Sequence, residues 1–140
     1  MFLFDVMNAC VLYFSLTGNT RKFAETISDS LKIQAVCDIA TTEPSVVADY
    51  DVIIFGTPVH GFNSSKEALA FVERLPVGNG KKTVLFCTYR LWKGRVFGKL
   101  KNELKKKGYS TVLCVSAKGK EFTEEDFSES TDKIAEALKK

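Results

Sequence analysis

The chain has 140 residues, of which 45% are hydrophobic and 26% are charged, and these values are typical of a single globular domain. No apolar run approaches the ~18 residues that a membrane-spanning helix needs. The net charge of +3 is mild and neither requires nor excludes a nucleic-acid partner.

Residues 1–7 are mainly apolar, but Asp5 interrupts them. They lack a basic n-region and a small-residue cleavage site, so they are not interpreted as a signal peptide. They extend the first strand or form a loose tail. The four cysteines form no C-x-x-C pair, and each lies in or beside an apolar run, which indicates core residues and a reducing cytoplasm: Cys10, Cys37, Cys87 and Cys114.

The first clear element is the apolar run of residues 9–14, which ends abruptly in small hydroxyl, Gly and Asn residues. A helical pattern follows at once, with Phe23, Ile27 and Leu31 on one face. This order predicts a strand, a tight turn and a helix N-terminus. The turn is rich in hydrogen-bond donors, it faces the positive end of the helix dipole, and Gly18 permits a positive φ. Such a turn suits a phosphate monoester.

The remaining elements follow in alternation. Strands are predicted at residues 33–39, 52–55, 83–88 and 111–115, and residues 41–50 predict a rudimentary helix or an irregular crossover. The helix after the third strand begins with capping-box spacing at Ser64 and Glu67. The next helix begins near Val96 and is closed by Gly108, with lysines in its last turn. The last helix begins at Thr123 with Asp126.

Five strands that alternate with helices predict an α/β fold, a doubly wound parallel sheet with helices on both faces. Ligands in such sheets bind beyond the carboxyl ends of the strands, at the switch point. Three loops here, after the first, third and fourth strands, differ from plain connections in their residues.

The first loop carries a family resemblance. Its residues resemble the phosphate loop of flavodoxins, usually written [S/T]-x-T-G-N-T: Ser15, Leu16, Thr17, Gly18, Asn19 and Thr20. The resemblance covers essentially the whole chain and is closest to the short-chain group, since the last strand has no insertion. It implies a flavodoxin-like single domain over residues 1–140, strand order 2-1-3-4-5, and FMN as the cofactor.

The resemblance also implies roles for the other two loops. The second would lie against the inner side of the isoalloxazine ring and turn a backbone carbonyl toward flavin N5 upon reduction: Thr57, Pro58, Val59, His60, Gly61 and Phe62. The third would hold the outer side, where either Tyr89 or Trp92 stacks on the ring: Thr88, Tyr89, Arg90, Trp92 and Gly94. A charged His60 would favour an anionic reduced flavin.

Other readings of such a sheet fail on specific residues. The P-loop motif is absent. A receiver domain needs an acidic residue at the end of the third strand, where Gly56 stands. A low-molecular-weight phosphatase needs a Cys and an Arg spanning the first loop, but Cys10 lies too early and the loop has no Arg.

The predicted function is therefore that of an FMN-binding electron-transfer protein, more a carrier than an enzyme. The alternatives are an FMN-dependent NAD(P)H oxidoreductase such as a quinone reductase, and a flavin-free interaction domain. We expect a cytoplasmic monomer with a redox protein as partner, and no nucleic acid or membrane. Flavodoxins are commonly acidic, whereas this chain has Arg90, Lys93 and Arg95 beside the expected flavin edge, which predicts an acidic docking patch on the partner.

A first prediction concerns Thr17. Loss of one hydrogen bond to a charged group costs about 1.5–3 kcal/mol, so Thr17→Ala is expected to weaken FMN binding roughly tenfold to a hundredfold. Riboflavin lacks the phosphate and serves as the control ligand, because its affinity should change far less. Equal weakening of both ligands in a fluorescence titration would place the phosphate elsewhere.

Overall fold

The computed structural model describes residues 8–15, 18–60, 63–89, 94–119 and 122–138. Five parallel strands form the centre: β1 Ala9–Tyr13, β2 Ala35–Asp38, β3 Val52–His60, β4 Lys82–Tyr89 and β5 Ser110–Lys118. Their order is β2-β1-β3-β4-β5, which confirms the order that the resemblance implies. A two-residue antiparallel arm, Asn63–Ser64, pairs with the end of β3.

Three helices connect strands, α1 Asn19–Leu31, α2 Lys66–Glu73 and α3 Val96–Lys106, and α4 Ser128–Leu138 follows β5. Two short 3-10 helices, Ile39–Thr41 and Pro44–Asp49, form the crossover from β2 to β3, which confirms the rudimentary helix expected there. Gly108 follows α3 with φ 92°, as its predicted closing role requires. Within the described residues, no helix is long and apolar enough to span a bilayer.

The sheet separates two hydrophobic cores, because successive strand residues point to opposite faces. One core lies under α1 and α4 and contains Val11, Ile54 and Phe86 of the strands. The other lies under α2 and α3 and contains Leu12, Ile53 and Leu85. Helices therefore cover both faces, as the alternation of elements predicts.

All four cysteines lie in the core or pack against it, as the sequence predicts. Cys10 and Cys87 are buried, Cys37 and Cys114 are half-buried, and these four described cysteines form no disulfide. Burial raises the pKa of the Cys10 thiol to about 12, with a smaller contribution from Cys37. Cys10 therefore stays protonated at neutral pH and acts as a small apolar residue.

An aromatic column crosses the first core. Phe23 of α1 lies 4.9 Å from Phe86 of β4 and 4.3 Å from Phe127, and Phe127 lies 5.0 Å from Phe122, each distance taken between ring centroids. The column begins at Gly56 of β3, where a Cβ would lie 2.0 Å from the Phe86 ring. Only a residue without a side chain leaves room for that ring, so Gly56 and Phe86 together set how α1 and the chain before α4 sit on the sheet.

This contact generates a second prediction. Gly56→Ala forces the buried Phe86 ring to move and should lower the free energy of unfolding by about 1–3 kcal/mol. Gly98→Ala is the matched control, since a Cβ there meets nothing within 4 Å and Ala is favoured over Gly in a helix by up to about 1 kcal/mol.

The measurement is urea unfolding of both variants and of Gly56→Ala combined with Phe86→Leu. Because leucine leaves room beside residue 56, the cost of the added methyl group should shrink in that background. An equal cost in both backgrounds would contradict the steric explanation.

Candidate functional site

The site is built where three strands end side by side. At the carboxyl edge Tyr13 of β1 lies opposite Gly56, and Pro58 of β3 lies opposite Thr88 of β4. From β1 the chain moves to β2 on one side, and from β3 it moves to β4 on the other. The crevice between β1 and β3 is therefore the switch point at which doubly wound sheets bind ligands.

The turn after β1 leads directly into α1. Gly18 caps α1 with φ 94° and has no side chain to satisfy the first turn of the helix. Its own N–H donates to Ser15 Oγ at 3.0 Å, and Lys22 N donates to Gly18 O at 3.0 Å as the helix begins. Helix geometry leaves the N–H groups of Thr20 and Arg21, in the first turn, without a carbonyl acceptor inside the helix. Leu16 and Thr17 lie outside the described residues.

The space over this turn is open. A Cβ built on Gly18 meets no atom within 4 Å, and Gly18 itself is exposed. Ser15 Oγ accepts a hydrogen bond from Gly18 N, and a serine hydroxyl can donate its own O–H as well. Backbone N–H groups at a positive helix end, a hydroxyl and open space are what a phosphate needs.

The two cations just inside α1 are directed elsewhere. Arg21 forms an exposed ion pair with Glu25, with 3.4 Å between Nε and Oε2. Lys22 Nζ donates to the carbonyl of Phe122 at 2.8 Å. The donors that the described part of the turn offers to an anion are therefore neutral, in agreement with the sequence of the turn.

A buried hydrogen bond ties the turn to β4. Thr20 Oγ1 and Thr88 Oγ1 lie 2.9 Å apart, and the two residues are 1% and 5% exposed. Thr20 is the second residue of α1 and Thr88 the penultimate residue of β4. The pair fixes the start of α1 relative to the third predicted loop.

The second predicted loop is in part a strand, which corrects the sequence prediction. β3 continues beyond Phe55 through Thr57, Pro58, Val59 and His60. Pairing sustains it, because β4 lies alongside as far as Pro58 and the short arm pairs with Val59 and His60. Pro58 has no N–H to donate, and it is tolerated because β1 has already ended beside it. The last backbone hydrogen bond on the β1 side runs from Phe14 N to Gly56 O. Gly61 and Phe62 lie outside the described residues.

Thr57 and Ser65 join this strand to α2. Thr57 is fully buried, and its hydroxyl donates to Pro58 O at 3.0 Å and lies 3.3 Å from Ser65 Oγ. Ser65 caps α2 by accepting from Ala68 N at 3.1 Å. The predicted capping box at Ser64 and Glu67 is thus wrong by one residue, because Ser64 is taken up in pairing with Val59.

The third predicted loop begins one residue later than expected. Tyr89 is half-buried and is the last residue of β4, where its carbonyl accepts from Gly119 N at 2.9 Å. Gly94 lies in the turn before α3 with φ 58°. Arg90, Trp92 and Lys93 lie outside the described residues, so the choice between Tyr89 and Trp92 as the stacking residue stays open.

Tyr13 ends β1 at the same edge and is 8% exposed. Burial raises the pKa of its phenol, and the nearby Asp38 raises it further. Tyr13 is therefore neutral at physiological pH and adds no charge to the crevice. Sequence reasoning missed the couplings of Thr20 to Thr88 and of Thr57 to Ser65, since partners so far apart in the chain leave no signal in periodicity.

Comparison with known proteins identifies a family whose model matches this chain. The family model described as "Flavodoxin domain" matches residues 10–120. The uncharacterized protein MJ0298 of Methanocaldococcus jannaschii is 30% identical over 116 residues, which cover 81% of this chain and 76% of that protein.

Two solved structures are similar in fold. Oxidised flavodoxin 1 of Bacillus cereus superposes with a TM-score of 0.76 at 23% identity, covering 94% of this chain and 97% of its own. Two-electron reduced flavodoxin of Megasphaera elsdenii superposes with a TM-score of 0.71 at 24% identity, covering 89% and 98%.

The threonine pair generates a third prediction. Thr88→Val keeps the shape of the side chain but leaves the Thr20 hydroxyl buried without this partner, which should cost about 1–3 kcal/mol of unfolding free energy. The double variant Thr20→Val/Thr88→Val removes both polar groups and should be nearly as stable as the wild type. Thr83→Val is the control, because its partner Thr111 lies 2.9 Å away but is only half-buried. If the double variant loses as much unfolding free energy as the two single variants together, the pairing is contradicted.

Proposed function

This chain belongs to the flavodoxin family, and from that premise we propose that it binds FMN at the carboxyl edge of its sheet and serves as an electron carrier. The observation that carries the proposal is the turn between β1 and α1. There Gly18 caps the helix without a side chain, Ser15 presents a hydroxyl, and the space above is open. The donor set is neutral and fits the phosphate monoester of FMN.

The residues of the turn would hold the phosphate. Ser15 would donate its hydroxyl, and the N–H groups at the start of α1 would donate along the helix axis. Thr17 and Asn19 are expected to add a hydroxyl and an amide, as the resemblance implies. Because the start of α1 is bonded to β4 through Thr20 and Thr88, the phosphate subsite and the ring subsite would keep a fixed separation.

The ends of β3 and β4 would flank the isoalloxazine ring. Thr57 is locked by its bonds to Pro58 O and to Ser65, so the backbone from Thr57 to His60 is held rigidly beside the crevice. Tyr89 or Trp92 is expected to cover the opposite side of the ring. Bound FMN supplies the electron exchange, while the chain binds it, orients it and presents the ring edge.

The threonine pair offers a fourth prediction that separates binding from stability. Thr20→Val and Thr88→Val break the same hydrogen bond, so they should destabilise the fold similarly. Only Thr20 belongs to the phosphate turn, so Thr20→Val should weaken FMN binding by roughly tenfold to a hundredfold, in keeping with one lost bond to a charged group. Thr88→Val keeps the Thr20 hydroxyl but loses the link between the two subsites, so it should weaken FMN binding less than Thr20→Val does, by under about tenfold.

The measurement is a titration of the apoprotein with FMN, followed by flavin fluorescence, with riboflavin as the phosphate-free control. Absence of FMN binding by the wild type would overturn the proposal and favour a flavin-free interaction domain. Rapid anaerobic bleaching of the bound flavin by NADH or NADPH alone would instead indicate an FMN-dependent NAD(P)H oxidoreductase.

A further inference from the structure

The mild net charge of the chain conceals a strong separation of charge. Residues 95–107, which contain α3, include six basic residues and one acidic residue, a net charge of +5. Residues 122–138, which contain α4, include six acidic residues and one basic residue, a net charge of −5. The two helices pack on opposite faces of the sheet, on either side of the edge strand β5.

The cations of α3 are largely unneutralised. Lys106 pairs with Glu103, with 3.2 Å between Nζ and Oε1, and Lys107 Nζ donates to Leu75 O at 3.1 Å. Four others are exposed and make no ion pair or hydrogen bond with the described part of the chain: Arg95, Lys99, Lys101 and Lys105. Two of them, Lys101 and Lys105, are like charges at i,i+4, a spacing that slightly destabilises a helix. Lys105 lies in the last turn of α3, where a cation complements the helix dipole, but Lys101 lies in the middle of the helix and has no such role.

A groove lies beside these lysines, between α3 and β5. Its volume is about 560 Å³. Lys101 and Lys105 line one wall with Asn102, and Ser110 and Thr111 line the other. The described residues that line the groove include no carboxylate, so its charged and polar side chains favour a negatively charged occupant.

The exposed edge of β5 does not favour pairing with a strand of another molecule. Thr83 pairs with Thr111 and Val84 pairs with Leu113, so Val112 is an extra residue that interrupts the ladder. Such bulges in an edge strand hinder the addition of another strand. Val112 is 41% exposed. Recognition at this edge would therefore use side chains and their charge.

We propose that the α3–β5 surface, formed by Arg95, Lys99, Lys101, Lys105 and the groove beside them, docks an acidic surface of the protein that exchanges electrons with this chain. The proposal rests on the proposed function. It extends the docking patch expected at Arg90, Lys93 and Arg95, of which Arg95 is described and exposed. α3 begins with Arg95 near the carboxyl edge and ends with Lys105 and the groove near the opposite edge, where Ser110 pairs with Lys82. A partner lying along the whole helix would therefore reach the expected flavin edge at Arg95.

The chemistry of the surface favours a protein over a nucleic acid. Among the described residues that line the groove, the cations are lysines, and the aromatic residue Tyr109 is 4% exposed with its hydroxyl bonded to Pro76 O. The groove thus offers neither an exposed stacking platform nor a guanidinium fork of the kind typical of nucleic-acid sites, and Arg95 at the start of α3 is the one guanidinium in the described part of the surface. Hydrated lysine charges suit brief encounters, in which complementary charge raises the association rate.

The test uses a synthetic peptide of about twelve residues rich in glutamate, titrated into the purified protein at an ionic strength of about 20 mM, where screening is weak. Amide NMR shifts report where it binds, and the visible spectrum of the same sample reports its flavin content. Failure to bind flavin and failure to bind the peptide are thus recorded separately.

Two charge-matched variants sharpen the result. Lys101→Gln/Lys105→Gln removes two charges from the groove, and Lys66→Gln/Lys133→Gln removes two from α2 and α4. We expect shifts confined to residues 95–113, a loss of affinity of roughly fivefold to thirtyfold in the first variant, and less than about threefold in the second. Binding should vanish at about 300 mM salt.

Three outcomes would overturn the proposal. The first is absence of peptide binding at low salt. The second is an equal loss of affinity in both variants, or shifts centred on other elements, since either would indicate attraction to net charge alone. The third is tighter binding of an oligothymidylate with the same number of negative charges, which would identify a nucleic-acid surface instead.

Discussion

The close approach of Phe86 to Gly56 is the contact on which the rest of this structure depends. The Phe86 ring occupies the space that any side chain at position 56 would fill. Phe23 of α1 packs on that ring, Phe127 packs on Phe23, and Phe122 packs on Phe127. The orientation of α1 is therefore set from the middle of the sheet. Because packing fixes the orientation of α1, it also fixes the direction in which the N-terminus of α1 points. That N-terminus is the donor end of the candidate phosphate site.

The polar contacts around the crevice refine what packing establishes. Thr20 and Thr88 share a hydrogen bond in a buried position, where a missing partner would be costly. Lys22 bonds to the carbonyl of Phe122 at the end of the aromatic column, which draws its charge away from the turn. The phosphate turn is left with neutral donors on a rigid support. Preorganised donors lose little freedom when an anion binds, so such a turn needs no positive side chain of its own.

The sequence predicts this fold well because its signals are local. Apolar runs and the glycines Gly18 and Gly108 each report on a few neighbouring residues, and the structure retains them. Thr123 and Asp126 form a capping box, but on a 3-10 helix, Glu124–Phe127, so α4 begins at Ser128 and not at Thr123 as the sequence predicts. The errors arise where distant residues decide. β3 runs on to His60 because β4 and the short arm pair with it, and Ser65 replaces Ser64 as the cap because the sheet engages Ser64. The composition of residues 57–60 indicates a loop, and tertiary pairing overrides it.

The distribution of charge shows the same division between local and tertiary information. A net charge of +3 predicts little, and lysines on a helix are usually solvated. The topology decides where these charges lie, because α3 precedes β5 on one face of the sheet and α4 follows β5 on the other. A partner therefore meets either the positively charged face or the negatively charged face, and the net charge of the whole chain does not describe either one. A charge separation of this kind orients the molecule in a partner's field before contact, and the face it turns toward an acidic partner is α3, which begins beside the candidate site.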